Sequence, residues 1–228
     1  MQRHKQIFEL TLLAILEGII ILMSFTPLGF LKIGGLEITL LTIPVAVAAI
    51  TLGVKGGLIA GFTFGVTSLL QCVFGTSPFG ATLLGINPVL TAIVCIVSRT
   101  LMGLLVGLIY SGLSKVIKNR TVVHIITNIC APLLNTFFFM SLLCLCFYRT
   151  DFIQDLAAQL GSTNVFMFCI LFVGVNFLVE FAASFIFGFA VSRSLDAVRS
   201  KMIKNDKEKE AKKAIELSNN QVNAIEKN

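Results

Sequence analysis

Long apolar stretches, separated by short polar or glycine-rich connectors, fill most of this chain. Because a helix needs about 20 mostly apolar residues to cross a bilayer, the pattern predicts an all-α membrane protein with six transmembrane helices. They are expected at residues 7–26, 37–53, 56–75, 88–113, 122–147 and 165–192. The last part of the chain is rich in charged residues, so we expect a membrane domain over residues 1–198 and a charged tail over residues 199–228.

The composition supports a membrane location. Hydrophobic residues make up 56% of the chain and charged residues only 13%, whereas soluble domains average roughly 25% charged residues. The net charge is +6, but the basic residues lie in short connectors and in the tail, with no basic face interleaved with aromatic side chains. We therefore expect a cell-membrane protein that contacts the lipid bilayer and has no nucleic-acid partner.

The basic connectors predict the orientation of the helices, because positively charged loops stay on the cytoplasmic side. With the N-terminus inside, Lys32 and Arg149 fall outside the cell. The cytoplasmic set then consists of Arg3, Lys5, Lys55, Lys115, Lys118, Arg120, Arg193, Arg199, Lys201 and Lys204. Both termini are therefore predicted to be cytoplasmic.

Glycines recur at intervals of four in the third and fourth spans. The third span carries Gly57, Gly61 and Gly65, and the fourth carries Gly103 and Gly107. Residues four apart lie on one helical face, and bare backbone there lets a second helix approach closely. We expect these two stripes to pack within the bundle.

Polar side chains interrupt the apolar spans near one depth. Arg99 lies roughly 16 Å below the outer end of its span, and Glu17 falls near the same plane. An ionised group at such a depth costs about 2.5–3.5 kcal/mol even on a lenient scale. One interpretation pairs Arg99 with Glu17 or Glu180 to fix the register of the helices. The other is a polar pocket in which the arginine binds an anionic solute. The predicted substrate-binding residues are Gln71, Asn87, Arg99, Asn135, Asn176 and Glu180.

Two outer connectors, residues 26–37 and 75–88, are rich in glycine, proline and serine and carry almost no charge. Residues of these types form turns, and the apolar character of the connectors favours folding back over the bundle. They are predicted either to cap a ligand from outside or to pack at the membrane interface.

No enzyme signature occurs in the sequence. HExxH, a nucleophile elbow and a phosphate-binding GxxxxGK[ST] are all absent, so the chain is not expected to be an enzyme or to hydrolyse ATP by itself. His4 and His124 are the only histidines, and the six cysteines form no CxxC pair. We therefore expect no metal site and no cofactor, and we interpret the cysteines as small buried hydrophobic residues.

Residues 38–70, ITLLTIPVAVAAITLGVKGGLIAGFTFGVTSLL, resemble the second and third spans of the substrate-binding S-components of energy-coupling factor (ECF) transporters. The segments SFTPLGF and SRTLMG are similar to those of the pantothenate-type branch, and the resemblance extends over residues 7–195. It implies a six-helix protein of the bacterial plasma membrane that binds a vitamin from outside. Its partners would be a transmembrane coupling subunit and two ATPase subunits. The resemblance also implies that a small-residue stripe on the first span, here Ala14 and Gly18, faces the coupling subunit.

The substrate favoured by the sequence is pantothenate. It offers one carboxylate, an amide and hydroxyls, which suit one arginine with Asn and Gln partners. Riboflavin and folate carry flat rings that commonly stack on Trp or Tyr, and this chain has no Trp, although its 20 Phe residues could replace them. The alternatives are an S-component for another vitamin such as riboflavin or folate, and an unrelated multi-pass membrane protein whose buried charges are structural.

Overall fold

The computed structural model describes residues 2–27, 29–33 and 36–184, and also residues 186, 190, 193, 194 and 197. Within these ranges, the side chains of residues 2–5, 30–38, 175–180 and 183 lie outside the description. The elements in chain order are α1 (Gln2–Ser24), β1 (Phe30–Ile33), β2 (Leu36–Thr39), α2 (Thr42–Val73), α3 (Pro78–Ile86), α4 (Pro88–Val116), α5 (Arg120–Phe147), α6 (Asp151–Gln159) and α7 (Val165–Ala183). The predicted helical fold is confirmed over this part of the chain. In the first outer connector the structure adds an antiparallel hairpin, in which Phe30 pairs with Thr39 and Ile33 with Leu36.

Four of the described helices, α1, α2, α4 and α5, are long and apolar enough to cross a membrane. They include the first, fourth and fifth predicted spans. In α7, the apolar stretch among the described residues, Val165–Gly174, is shorter than a membrane-crossing helix. The end of the sixth predicted span and the tail at 199–228 fall outside the described ranges. The number of six spans and the cytoplasmic position of the termini therefore stay predictions.

The second and third predicted spans form one element with a sharp turn inside it. Gly53 has φ 71° and ψ −156° within α2, a positive-φ conformation that glycine adopts without steric cost. A Cβ built on Gly57 would lie 3.0 Å from the Cβ of Ala49, whereas eight residues of straight helix extend about 12 Å. The chain therefore folds back at Gly53, and the helix before the turn, residues 42–52, is shorter than the predicted span.

The second half of α2 packs directly against α4 through the two glycine stripes. A Cβ on Gly57 would lie 2.4 Å from the carbonyl oxygen of Gly103, and a Cβ on Gly61 would lie 2.4 Å from that of Arg99. Gly57 faces Gly103, whereas Gly61, later in α2, faces Arg99, earlier in α4. The two helices are therefore antiparallel. The predicted packing of these stripes within the bundle is confirmed, and it fixes the backbone that carries Arg99.

Gly61→Ala should destabilise the protein, because the added methyl group would overlap the backbone of α4. Overpacking of this kind typically costs about 1–3 kcal/mol. The matched control is Gly112→Ala, since a Cβ at Gly112 meets no atom within 4 Å. Thermal unfolding of the purified variants in detergent measures both effects. Equal melting temperatures for Gly61→Ala and the control would show that the α2–α4 contact tolerates a larger residue.

The core consists of two buried clusters. One packs α1, α2, α4 and α5 together around Phe64 and Met102. The other packs α3 to α7 together around Phe147, Ile153 and Phe168. The second cluster lies at the end of the bundle covered by α3 and α6, and several of its residues also form the wall of the candidate site.

Helix α1 packs against the bundle with a single face. Leu12, Leu16 and Ile20, spaced four apart, are buried in the first cluster. Ala14 and Gly18 lie on a different face and are exposed, and a Cβ added to Gly18 would meet no atom within 4 Å. A side chain can therefore begin at Gly18, on this predicted docking stripe, without overlapping the described residues.

Candidate substrate-binding site

Two capped helix starts shape one end of the bundle. Ser77 caps α3 by accepting a hydrogen bond from the backbone N of Gly80 at 3.3 Å, and Asn87 caps α4 by accepting one from the backbone N of Leu90 at 3.1 Å. A proline follows each cap, which is the favoured first residue of a helix. Most of the second outer connector, residues 75–88, forms the short helix α3. Asn87, predicted to bind substrate, serves here as a helix cap and is not among the cavity residues below.

A cavity of about 490 Å³ lies beneath α3. Its described lining comes from β2 and from every helix from α2 to α7, with no residue of α1. The polar lining residues are Thr39, Ser68, Gln71, Ser77, Thr82, Thr91, Arg99, Asn135 and Thr136. Small-molecule sites generally occupy roughly 300–1,000 Å³ and combine apolar walls with a few polar groups. Both the size and the lining are therefore those of a site for a small molecule.

Arg99 is the charged residue among the described lining residues of the cavity. Its Nη1 donates to the carbonyl oxygen of Val94 at 3.3 Å and lies 2.9 Å from Oγ of Ser98. The guanidinium carbon is 4.6 Å from the ring centroid of Phe139 and 5.4 Å from that of Phe64. Aromatic faces attract a cation at these distances. The two rings and the backbone of α4 therefore hold the arginine in place at the cavity wall.

Gln71 and Asn135 also line the cavity, as the sequence suggested for a shared polar layer. The side-chain amide of Gln71 donates to the carbonyl oxygen of Ser24, which ties the end of α1 to α2. Asn135 is only 6% exposed, and its Oδ1 has no hydrogen-bond partner. A buried acceptor without a partner costs about 1–3 kcal/mol. The Asn135 oxygen is therefore suited to a donor group supplied by a ligand.

Glu17 lies away from the cavity lining, beside Thr63 of α2. Neither carboxylate oxygen has a partner that meets hydrogen-bond geometry. The interpretation that Glu17 pairs with Arg99 is therefore wrong for this structure. Asn176 and Glu180 belong to α7, but their side chains lie outside the described part of the chain.

Aromatic residues that the sequence analysis did not identify form the other side of the cavity. The ring of Phe79 lies 5.7 Å from that of Phe152 and 5.4 Å from that of Phe172, measured between centroids. Phe172 in turn stacks on Phe168 at 5.3 Å. These contacts join α3, α6 and α7 over the cavity. In α6, Phe152 and Leu156 are four residues apart, and this helical spacing is the sequence signal that could have predicted the element.

The arrangement combines a fixed cation, an acceptor without a partner and an aromatic wall in one cavity. Arg99 provides the positive charge that an anion requires, and its planar fork of donors matches a carboxylate. Asn135 offers its oxygen to a hydroxyl or an amide N–H. The described lining therefore suits binding of a small anionic molecule with polar substituents.

Comparison with known families agrees with this site. A family model described as the substrate-specific component of ECF transporters matches residues 8–191, whereas comparison with curated proteins gave no match. Members of this family are membrane substrate-binding subunits and not enzymes, with a vitamin-type substrate and with coupling and ATPase partners. The match excludes an unrelated multi-pass protein. The chain therefore belongs to the family of substrate-specific components of ECF transporters.

Proposed function

We propose that this chain is the pantothenate-binding subunit of an ECF transporter in a bacterial plasma membrane, and that it captures its substrate from outside the cell. The proposal rests on the observation that Arg99 and Asn135 line the same cavity, and that Oδ1 of Asn135 has no hydrogen-bond partner there. Pantothenate has one carboxylate for the arginine. Its hydroxyls and its amide N–H are donors for the asparagine.

The aromatic wall favours a second candidate, a vitamin with a planar ring. Phe79, Phe152 and Phe172 form this wall, and a ring stacked on aromatic side chains gains about 0.5–1.5 kcal/mol beyond its area burial. Riboflavin and folate both have such rings. Competition of unlabelled B vitamins against radiolabelled pantothenate tests both candidates on the purified chain. Displacement by riboflavin or folate at lower concentrations than pantothenate itself would favour the second.

The proposed membrane arrangement keeps the six spans and the cytoplasmic termini. Residues 42–52 of α2 belong to the second span, predicted at 37–53, and α7 belongs to the sixth, predicted at 165–192. The tail at 199–228 then lies in the cytoplasm. With this orientation, α3, α6 and the cavity lie toward the outer side, where the substrate arrives.

We further propose that Ala14 and Gly18 form the surface of α1 that meets the coupling subunit. Gly18→Leu should abolish co-purification with the coupling and ATPase subunits, and with it transport, because the added side chain blocks close helix approach. Vitamin affinity should stay unchanged, since α1 contributes no described residue to the cavity lining. The matched control is Ile19→Leu at an exposed position of the same helix. Loss of vitamin binding in Gly18→Leu would indicate that the stripe packs within this chain instead.

The chain alone should bind its substrate without accumulating it, because it has no nucleotide-binding motif and depends on its ATPase partners for energy. Reconstituted in liposomes, it should retain pantothenate only in proportion to the amount of protein. Addition of the coupling and ATPase subunits with ATP should produce concentrative uptake, and omission of ATP is the control. Accumulation by the chain alone would contradict this division of labour.

A further inference from the structure

Two cysteines lie together in the cavity wall and have no role in the proposed binding of the anion. Cys72 on α2 and Cys95 on α4 place their sulfur atoms 3.9 Å apart. Both side chains line the cavity, although each is only 5% exposed. Neither cysteine is in a disulfide in the structure. A molecule that enters the cavity therefore meets two neighbouring nucleophiles.

The helices that carry these thiols are held firmly against each other. A Cβ on Gly65 would lie 2.8 Å from the Cα of Ile96, so the two backbones are already in contact beside Cys95. The sulfur atoms of a disulfide are about 2.05 Å apart. The two sulfur atoms, 3.9 Å apart, must therefore approach each other by about 2 Å to form the bond. Arg99 lies one turn from Cys95 on the same helix, and reactive cysteines typically have such a cation nearby.

We propose that Cys72 and Cys95 form a redox-sensitive thiol pair that reacts with a low-molecular-weight disulfide and thereby weakens substrate binding. The thiolate of one cysteine attacks the reagent, forms a mixed disulfide and releases one thiolate of the reagent. The second cysteine, after losing its proton, attacks the mixed disulfide and releases the other thiolate. The two cysteines are oxidised by two electrons in total, and the reagent disulfide is reduced to two thiols.

The effect on binding follows from the contacts of Cys72. Its sulfur donates to the carbonyl oxygen of Ser68 at 3.2 Å. A Cβ built on Gly80 would lie 2.3 Å from that sulfur, so the backbone of α3 rests directly on the thiol. Moving the sulfur toward Cys95 removes this support and the hydrogen bond. Phe79, beside Gly80, belongs to the aromatic wall, so the shape of the cavity changes with the disulfide.

The effect on affinity rests on the proposed pantothenate site, whereas formation of the disulfide does not. We expect oxidation to weaken pantothenate binding by about tenfold, equivalent to about 1.4 kcal/mol. A reductant should restore the original affinity. Bound pantothenate should slow the oxidation, because it fills the space through which the reagent reaches the thiols.

A second pair of cysteines in the same chain provides an internal control. Cys144 on α5 and Cys169 on α7 have sulfur atoms 3.6 Å apart, and they line an adjoining apolar groove rather than the cavity itself. Pantothenate should protect Cys72 and Cys95 from oxidation and leave the rate at Cys144 and Cys169 unchanged.

The experiment treats the purified chain with oxidised glutathione, with and without pantothenate, and maps every cysteine by alkylation and mass spectrometry. Affinity is then measured for the oxidised wild type, for C144S/C169S and for C72S. We expect Cys72 and Cys95 to lose alkylation together, with reversible weakening in wild type and C144S/C169S. In C72S, Cys95 should retain one glutathione and no internal disulfide.

The proposal is overturned if both thiols stay free after Cys144 and Cys169 have reacted, or if the Cys72–Cys95 disulfide forms without a change in affinity. If the reduced wild type binds no pantothenate, the proposed substrate fails. The alkylation result still decides whether the pair is reactive.

Discussion

Arg99→Ala should weaken pantothenate binding by roughly 30-fold to several thousand-fold, which corresponds to the loss of about 2–5 kcal/mol for a charge-assisted contact in a desolvated pocket. Arg99→Lys should fall between the wild type and the alanine variant, because lysine keeps the charge and loses the bidentate geometry. Radioligand binding to the purified variants measures these losses. Arg120→Ala, which removes an exposed arginine outside the cavity, is the matched control and should bind as the wild type does.

A structural role for Arg99 predicts a different result. If Arg99 chiefly balances Glu180, then Arg99→Ala should leave a buried charge without a partner and lower the melting temperature. Adding Glu180→Gln should then restore the melting temperature. Folding and binding are therefore measured together for both single variants and for the double variant. A binding role for the arginine would be contradicted if the double variant regains the wild-type melting temperature and Arg99→Ala binds pantothenate as tightly as the wild type does.

Asn135→Leu should weaken pantothenate binding and leave the folded protein at least as stable as before. The substitution removes an acceptor for the ligand, a loss of about 1–3 kcal/mol, or roughly fivefold to more than a hundredfold in affinity. It also removes a buried oxygen that has no partner in the ligand-free protein. Titration with radiolabelled pantothenate and thermal unfolding in detergent give the two quantities.

The matched control is Asn128→Leu on the same helix. Asn128 is fully buried and its side-chain amide donates to the carbonyl oxygen of His124, but it does not line the cavity. This variant should therefore lose stability and keep affinity, the opposite of Asn135→Leu. Equal loss of affinity in both variants would indicate a general effect of unfolding rather than a contact with the ligand.

The sequence predicted site residues best where a polar side chain stands in an apolar stretch, because burying such a side chain costs free energy unless it has a specific partner. Arg99, Gln71 and Asn135 are polar positions in apolar stretches, so each indicated a particular environment, and the structure brings all three to one cavity. The glycine stripes were equally informative, because close backbone packing requires the absence of a side chain. Glu17 is also a polar residue in an apolar stretch, but it lies beside Thr63 at the contact between α1 and α2 rather than in the cavity. Depth along a helix alone does not decide which face carries a residue.

The aromatic wall and the short helices could not be predicted in the same way. In a chain with 20 Phe residues, a phenylalanine facing lipid and one facing a cavity have the same local pattern. Phe139 and Phe172 are examples of the second kind. Helix α6 has nine residues and begins at Asp151, so its length and hydropathy did not distinguish it from a loop, and only the four-residue spacing of Phe152 and Leu156 indicates a helix. The turn at Gly53 depends on a backbone conformation that a glycine permits and does not require.

The central claim is that Arg99 binds the carboxylate of the substrate inside this cavity. The most direct measurement is the ratio of affinities for pantothenate and for its uncharged alcohol analogue, pantothenol, in the wild type and in Arg99→Ala. We predict that the wild type strongly prefers the acid, and that the alanine variant remains folded and loses this preference. If folded Arg99→Ala still discriminates the acid from the alcohol as the wild type does, Arg99 is not the partner of the carboxylate.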